Sequence, residues 1–124
     1  MHPFKSLWFN RLVFYSALFA GCLLAFAPAN AGLHPYANDK LLHAVGFFVM
    51  AILSHLAHPK ASPWCLVVAL SLFGIGIEIV QGFLPYRDFS FLDWFADILG
   101  LLLYFFGLIR IISYYSLRRK SVLG

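Results

Sequence analysis

The chain has 124 residues, of which 62% are hydrophobic and only 11% charged. That length allows one domain, and so few charges cannot solvate an ordinary globular surface, which leaves a polytopic membrane protein. The net charge of +4 does not point to nucleic acid, because the basic residues flank apolar runs and do not form a stripe interleaved with aromatics.

Four apolar stretches approach the roughly 20 residues needed to cross about 30 Å of hydrocarbon. The first is Leu12–Ala29. Its basic start and the following Ala29-Asn30-Ala31 resemble a signal peptide with a small-residue cleavage site, but the run is long for one, and retention as a helix is the preferred reading. The second stretch, Leu41–Ala57, is opened by Asn38-Asp39 and closed by His58-Pro59. The third, Trp64–Leu84, starts behind Pro63 and stops at Pro85, where a helix would lose a hydrogen bond. The fourth is Leu92–Ile112. Short connections make consecutive helices antiparallel neighbours, so the expected fold is all-α, a bundle of four transmembrane helices forming one domain over residues 1–124. Cys22 and Cys65 fall towards opposite faces and predict no disulfide.

Orientation follows from the basic residues. Lys5, Arg11, Lys60, Arg110, Arg118, Arg119 and Lys120 lie on one side, and only Lys40 and Arg87 lie on the other. Excess Lys and Arg marks the cytoplasmic face, which places both termini inside. All five acidic residues, Asp39, Glu78, Asp88, Asp93 and Asp97, then gather at the outer ends of the helices.

At about 1.5 Å of rise per residue, His43, Gln81, Asp97 and Glu78 lie roughly 3–9 Å inside the outer ends and share one layer. Ionisable groups at membrane depth are costly and usually functional. They fall on three helical stripes, each with a glycine about one turn deeper than its polar residue: Gly46 below His43, Gly74 below Glu78, Gly100 below Asp97. Such small residues let helices approach, predicting a tight floor under a polar pocket. Glu78 sits where its own helix dipole opposes a negative charge, so it needs a cation, a metal or a proton; Arg87 is its expected partner and His43 the second. Ser90-Phe91-Leu92-Asp93 fits a capping box in which Asp93 reaches back to the first turn. Asp39 and Lys40 have bland readings as a first-turn acid and a snorkelling amine. The candidate binding residues are Asp39, Lys40, His43, Glu78, Gln81, Arg87, Asp93 and Asp97, with His43 and Glu78 as candidate catalytic bases. No cofactor is predicted, although His43, Glu78 and Asp97 together would suit a divalent metal. His2, His34, His55 and His58 are scattered by the topology and form no metal set.

The ordered set Asp39-Lys40-Leu41-Leu42-His43, Gly76-Ile77-Glu78-Ile79-Val80-Gln81, Arg87, Ser90, Asp93, Asp97 and Gly100 resembles the VanZ-like family of small bacterial membrane proteins. The resemblance covers about residues 39–107, and the first span matches only in kind. Asp97 is a departure, since the family usually has asparagine there. The resemblance implies a bacterial cytoplasmic membrane protein of the cell envelope with a link to low-level teicoplanin-type glycopeptide resistance.

Three functions fit these residues. The first is a non-enzymatic binder of a lipid headgroup, a lipid-linked envelope precursor or an amphiphilic antibiotic, with Arg87 meeting an anionic group. The second is an intramembrane enzyme on a lipid-linked substrate, with His43 or Glu78 as general base. The third is a small proton-coupled exporter titrating Glu78, disfavoured because the inner halves of the helices offer no ionisable path. A homodimer is compatible with all three.

Overall fold

A computed structural model describes residues 3–28 and 39–124. The described residues are all helical apart from short turns, and four helices are long and apolar enough to cross a membrane. The protein is a multi-pass membrane protein of the predicted all-α class. Helix α1 spans Pro3–Phe26, α2 Asp39–Ala57, α3 Pro63–Phe83 and α4 Phe91–Leu102. A π-helical turn, Leu103–Leu108, leads without a break into α5, Ile109–Leu123. The segment Ala29-Asn30-Ala31, with the cleavage reading it carries, and His2 and His34 lie outside the described residues.

Two boundaries differ from expectation. Helix α1 begins nine residues before Leu12, because its polar early turns are used: Asn10 Nδ2 donates to Leu56 O at 3.3 Å and Arg11 Nε to Ala57 O at 3.2 Å. These side chains satisfy the carbonyls that the last turn of α2 cannot pair internally. The fourth hydrophobic stretch runs on through α5 as one 33-residue rod, since no proline or glycine stands in its path between Leu108 and Gly124. At about 1.5 Å per residue the rod exceeds the ~30 Å hydrocarbon core, and its basic end, with Arg118, Arg119 and Lys120, projects beyond it.

Helix α2 is the centre of the bundle, packed chiefly on α4 and also on α1 and α3. Gly100 explains the intimacy with α4. A methyl group there would run into the backbone carbonyl of Ala44 and within 3.0 Å of Phe48 N. Gly74 does the same for side chains, as its Cβ would lie 2.8 Å from Asp97 Oδ2 and 3.2 Å from Phe47. Gly46 departs from the expected floor, since nothing lies within 4 Å of where its Cβ would be. It faces a groove. The buried core, Phe14, Phe47, Ala51, Leu66, Leu70, Leu101 and Phe105 among others, lies towards the half of the bundle away from the acidic residues. The outer faces carry exposed Trp8, Phe9, Phe19, Leu72, Phe83 and Phe95, as a bundle solvated by lipid requires.

Candidate functional site

The N-termini of α2 and α4 and the C-termini of α1 and α3 meet at one end of the bundle, and there the sequence-predicted polar residues assemble. His43, one turn into α2, hydrogen-bonds through Nδ1 to Asp97 Oδ1 of α4 at 2.7 Å. An ionised carboxylate only accepts, so Nδ1 is the donor of this bond and Nε2 is turned inward. Nε2 lies 3.9 Å from Glu78 Oε1 and 3.9 Å from Asp93 Oδ2. Lys40 Nζ ion-pairs with Asp93 Oδ1 at 3.6 Å. Glu78 and Asp97 are 0% and 1% exposed. Such burial makes their hydrogen bonding decisive, because an unsatisfied buried polar group is penalised heavily.

Glu78 does not meet Arg87. Its Oε2 accepts the backbone N–H of Ser90 at 3.1 Å, the residue that caps α4. The physical reason is that the chain turns sharply after Pro85 and brings the positive end of the α4 dipole onto Glu78, which offsets the opposing dipole of α3. This also changes the capping box. Ser90 Oγ accepts from Asp93 N at 3.3 Å as expected, but the reciprocal bond to Ser90 N comes from Glu78 and not from Asp93. Asp93 is thereby released from its local task and turns towards Lys40 and His43.

Arg87 works elsewhere. Its Nε and Nη2 donate to Ala27 O, just past the end of α1, at 3.3 and 3.1 Å. Tyr86 OH donates to Phe26 O at 2.8 Å and Gln81 Nε2 to Ala25 O at 2.8 Å. Gln81 thus sits in the predicted layer but faces α1 and not the acidic group. Three side chains around the end of α3 therefore satisfy three successive carbonyls of α1. Sequence reasoning missed this role, for which the signal was the Gln-x4-Tyr-Arg cluster at the end of α3.

Between α1, α2 and α3 lies a groove of about 310 Å³. Its mouth carries Asp39, His43, Gln81 and Arg87, and its floor is apolar, with Gly21, Gly46, Met50 and Phe73. Asp88 is exposed and takes no part. At the opposite end, His55 Nδ1 and Tyr104 OH hydrogen-bond at 2.8 Å, and His58 Nε2 and Tyr15 OH at 3.1 Å. The π-helical turn contains Tyr104, and the Ile109 N–H reaching back to Tyr104 O is its signature. His55 and His58 lie at the end of the bundle away from His43. Both cysteines are free.

No family model matches the chain. No solved structure matches it either. An uncharacterised protein of the fission yeast Schizosaccharomyces pombe is 34% identical over 92 residues, covering 71% of this chain and 55% of that protein. The chain therefore spans about half the length of the curated relative it matches, and what the two share is a sequence likeness to which no activity is attached.

Proposed function

We propose that the chain is a VanZ-like membrane protein that binds an amphiphile, with a headgroup at Asp39, His43, Gln81 and Arg87 and a hydrocarbon tail along the groove between α1, α2 and α3. The observation that carries this reading is the division of that groove into a polar mouth and an apolar floor. Its volume falls at the lower end of the roughly 300–1,000 Å³ of small-molecule sites. Arg87 is held by one carbonyl and keeps part of its donor set for an anionic headgroup. Lipid headgroups, lipid-linked envelope precursors and amphiphilic glycopeptides share this chemistry. The positive charges at the other end support an orientation with both termini cytoplasmic, and the family resemblance supports a bacterial cytoplasmic membrane.

The test uses Gly46→Leu, at a groove-lining position where an added Cβ meets nothing within 4 Å. Mass spectrometry of the protein purified in mild detergent is expected to find an amphiphile in the wild type and in Gly76→Leu, an equally open position away from the groove. Gly46→Leu should lose it. Retention in Gly46→Leu sinks the proposal. A second reading, an enzyme on a lipid-linked substrate, draws on the 2.7 Å His43–Asp97 pair, which would hold His43 Nε2 as a general base. Recovery of the amphiphile in chemically altered form would favour it. For an exporter, the described residues between His43 and His55 on α2 offer no ionisable side chain.

Topology is tested separately in a background with Cys22 and Cys65 replaced by alanine. A membrane-impermeant thiol reagent added to intact cells should label Asp88→Cys and leave Lys60→Cys unlabelled. Both positions are exposed, so equal labelling would overturn the orientation.

A further inference from the structure

We infer that Asp39, His43 and Asp93 hold one divalent transition-metal ion of the zinc or manganese type at the groove mouth, with Asp97 positioning His43 from behind. The inference goes beyond the amphiphile reading and does not depend on it, because the ion is titrated alone.

Geometry is the first support. One donor atom from each of Asp39, His43 and Asp93 lies within 4.8 Å of the other two. Donors that share an ion at about 2.0–2.2 Å stand roughly 3–4 Å apart, so small side-chain movements close the set. The 3.9 Å from His43 Nε2 to Asp93 Oδ2 is already of that size and too long for a hydrogen bond. Asp39 and His43 stand one turn apart on α2, and Asp93 lies in the first turn of α4. Gly100 lets α4 close on Ala44, the neighbour of His43.

The second support is the backing of the histidine. A metal-bound imidazole nearly always donates its other N–H to a carboxylate or carbonyl. The 2.7 Å bond between His43 Nδ1 and Asp97 Oδ1 supplies that partner and turns Nε2 towards Asp93. His43, Glu78 and Asp97 also offer donors within 4.8 Å of one another. An ion among those three would draw on Asp97, which Nδ1 already engages, whereas the Asp39 set leaves that bond intact.

The third is an orphaned atom facing the same nitrogen. Glu78 is fully buried and its Oε2 accepts the Ser90 N–H. Its Oε1, 3.9 Å from His43 Nε2, has no hydrogen-bond partner. A buried carboxylate oxygen left in that state is penalised unless a donor reaches it. A water carried by the ion is such a donor.

Charge and access agree. Asp39, Glu78, Asp93 and Asp97 bring four carboxylates around one imidazole. Lys40 meets Asp93 at Oδ1, and the other oxygen, Oδ2, faces His43. Carboxylates gathered this closely repel one another unless a cation or a proton stands among them. An imidazole with carboxylates suits Zn2+ and Mn2+ better than soft ions that want thiolates, or calcium and magnesium, which want oxygen alone. Asp39 and His43 both line the groove mouth, which gives the ion its way in.

The experiment strips the full-length protein with a chelator in mild detergent, then titrates ZnCl2 by calorimetry and MnCl2 by electron paramagnetic resonance. One equivalent of Zn2+ should bind, and spin-echo spectra of the Mn2+ form should show coupling to a histidine nitrogen. Asp39→Asn and Asp93→Asn, which remove ligands, should each weaken Zn2+ binding by roughly tenfold or more. Asp97→Asn should weaken it roughly 10- to 100-fold while keeping the stoichiometry, as loss of a partner behind the ligand does. Glu78→Gln, which removes a neighbouring charge and no ligand, should cost less than Asp93→Asn. Asp88→Asn, an exposed change, should bind as wild type. Zn2+ should also raise the wild-type melting temperature, a readout that needs no variant. Absence of binding at micromolar Zn2+, equal binding by all variants, or Mn2+ without nitrogen coupling would each overturn the inference. So would a loss in Glu78→Gln as large as that in Asp93→Asn, which would move the ion to the set with Glu78 and Asp97.

Discussion

Gly100→Ala is expected to destabilise the bundle by about 3 kcal/mol, at the upper end of the cost of overpacking. The added methyl meets backbone, the Ala44 carbonyl and the Phe48 amide, and backbone within a packed helix cannot swing aside as a side-chain tip would. Alanine's better helix propensity offsets at most about 1 kcal/mol. Parting α2 from α4 also separates His43 from Asp97, so ligand binding should fall together with stability. Thermal unfolding in detergent, followed by circular dichroism, should show a lowered midpoint for Gly100→Ala and almost none for Gly46→Ala. Equal midpoints for the two would mean that the α2–α4 contact is looser than described.

The second large effect separates two replacements of Glu78. In Glu78→Ala the Ser90 N–H loses its acceptor, which costs about 1–3 kcal/mol, and the vacated volume adds a cavity cost of about 1 kcal/mol or more. Glu78→Gln keeps an acceptor oxygen for Ser90 and nearly the same volume, and it removes a buried charge that is expensive to hold. Its stability should stay within about 1 kcal/mol of wild type. A Glu78→Gln protein that unfolds as easily as Glu78→Ala would show that the charge itself holds α3 to α4. Arg87→Ala, by contrast, is a weaker probe of ligand binding, because it also strips the carbonyl of Ala27 of its donors.

Much of this was legible in the chain. The spacing of prolines and apolar runs yields four helices, and helical periodicity puts His43, Glu78 and Asp97 on facing stripes at one depth. Sequence could not say which partner each polar residue takes, because that depends on how the loop after Pro85 folds back. The Glu78–Arg87 pairing fails for this reason: the turn delivers Ser90 N–H to Glu78 and swings Arg87 over α1. The capping box at Ser90–Asp93 holds only in half, since Ser90 Oγ accepts from Asp93 N while the bond to Ser90 N comes from a residue twelve positions earlier, brought near by the fold. Gly46 and Gly100 look alike on a helical wheel, yet one faces a groove and the other a neighbouring backbone, a difference set by helix rotation.

The stapling of α1 by Gln81, Tyr86 and Arg87 has a consequence for biogenesis. These bonds join residues 56 to 60 positions apart. During synthesis α1 enters the membrane first, and the groups that complete its end are made only with the last turn of α3 and the loop that follows it. Until then its last carbonyls must be served by water or headgroups, which holds that end near the interface. Translation of the end of α3 and the loop beyond it is thus the event that closes the molecule.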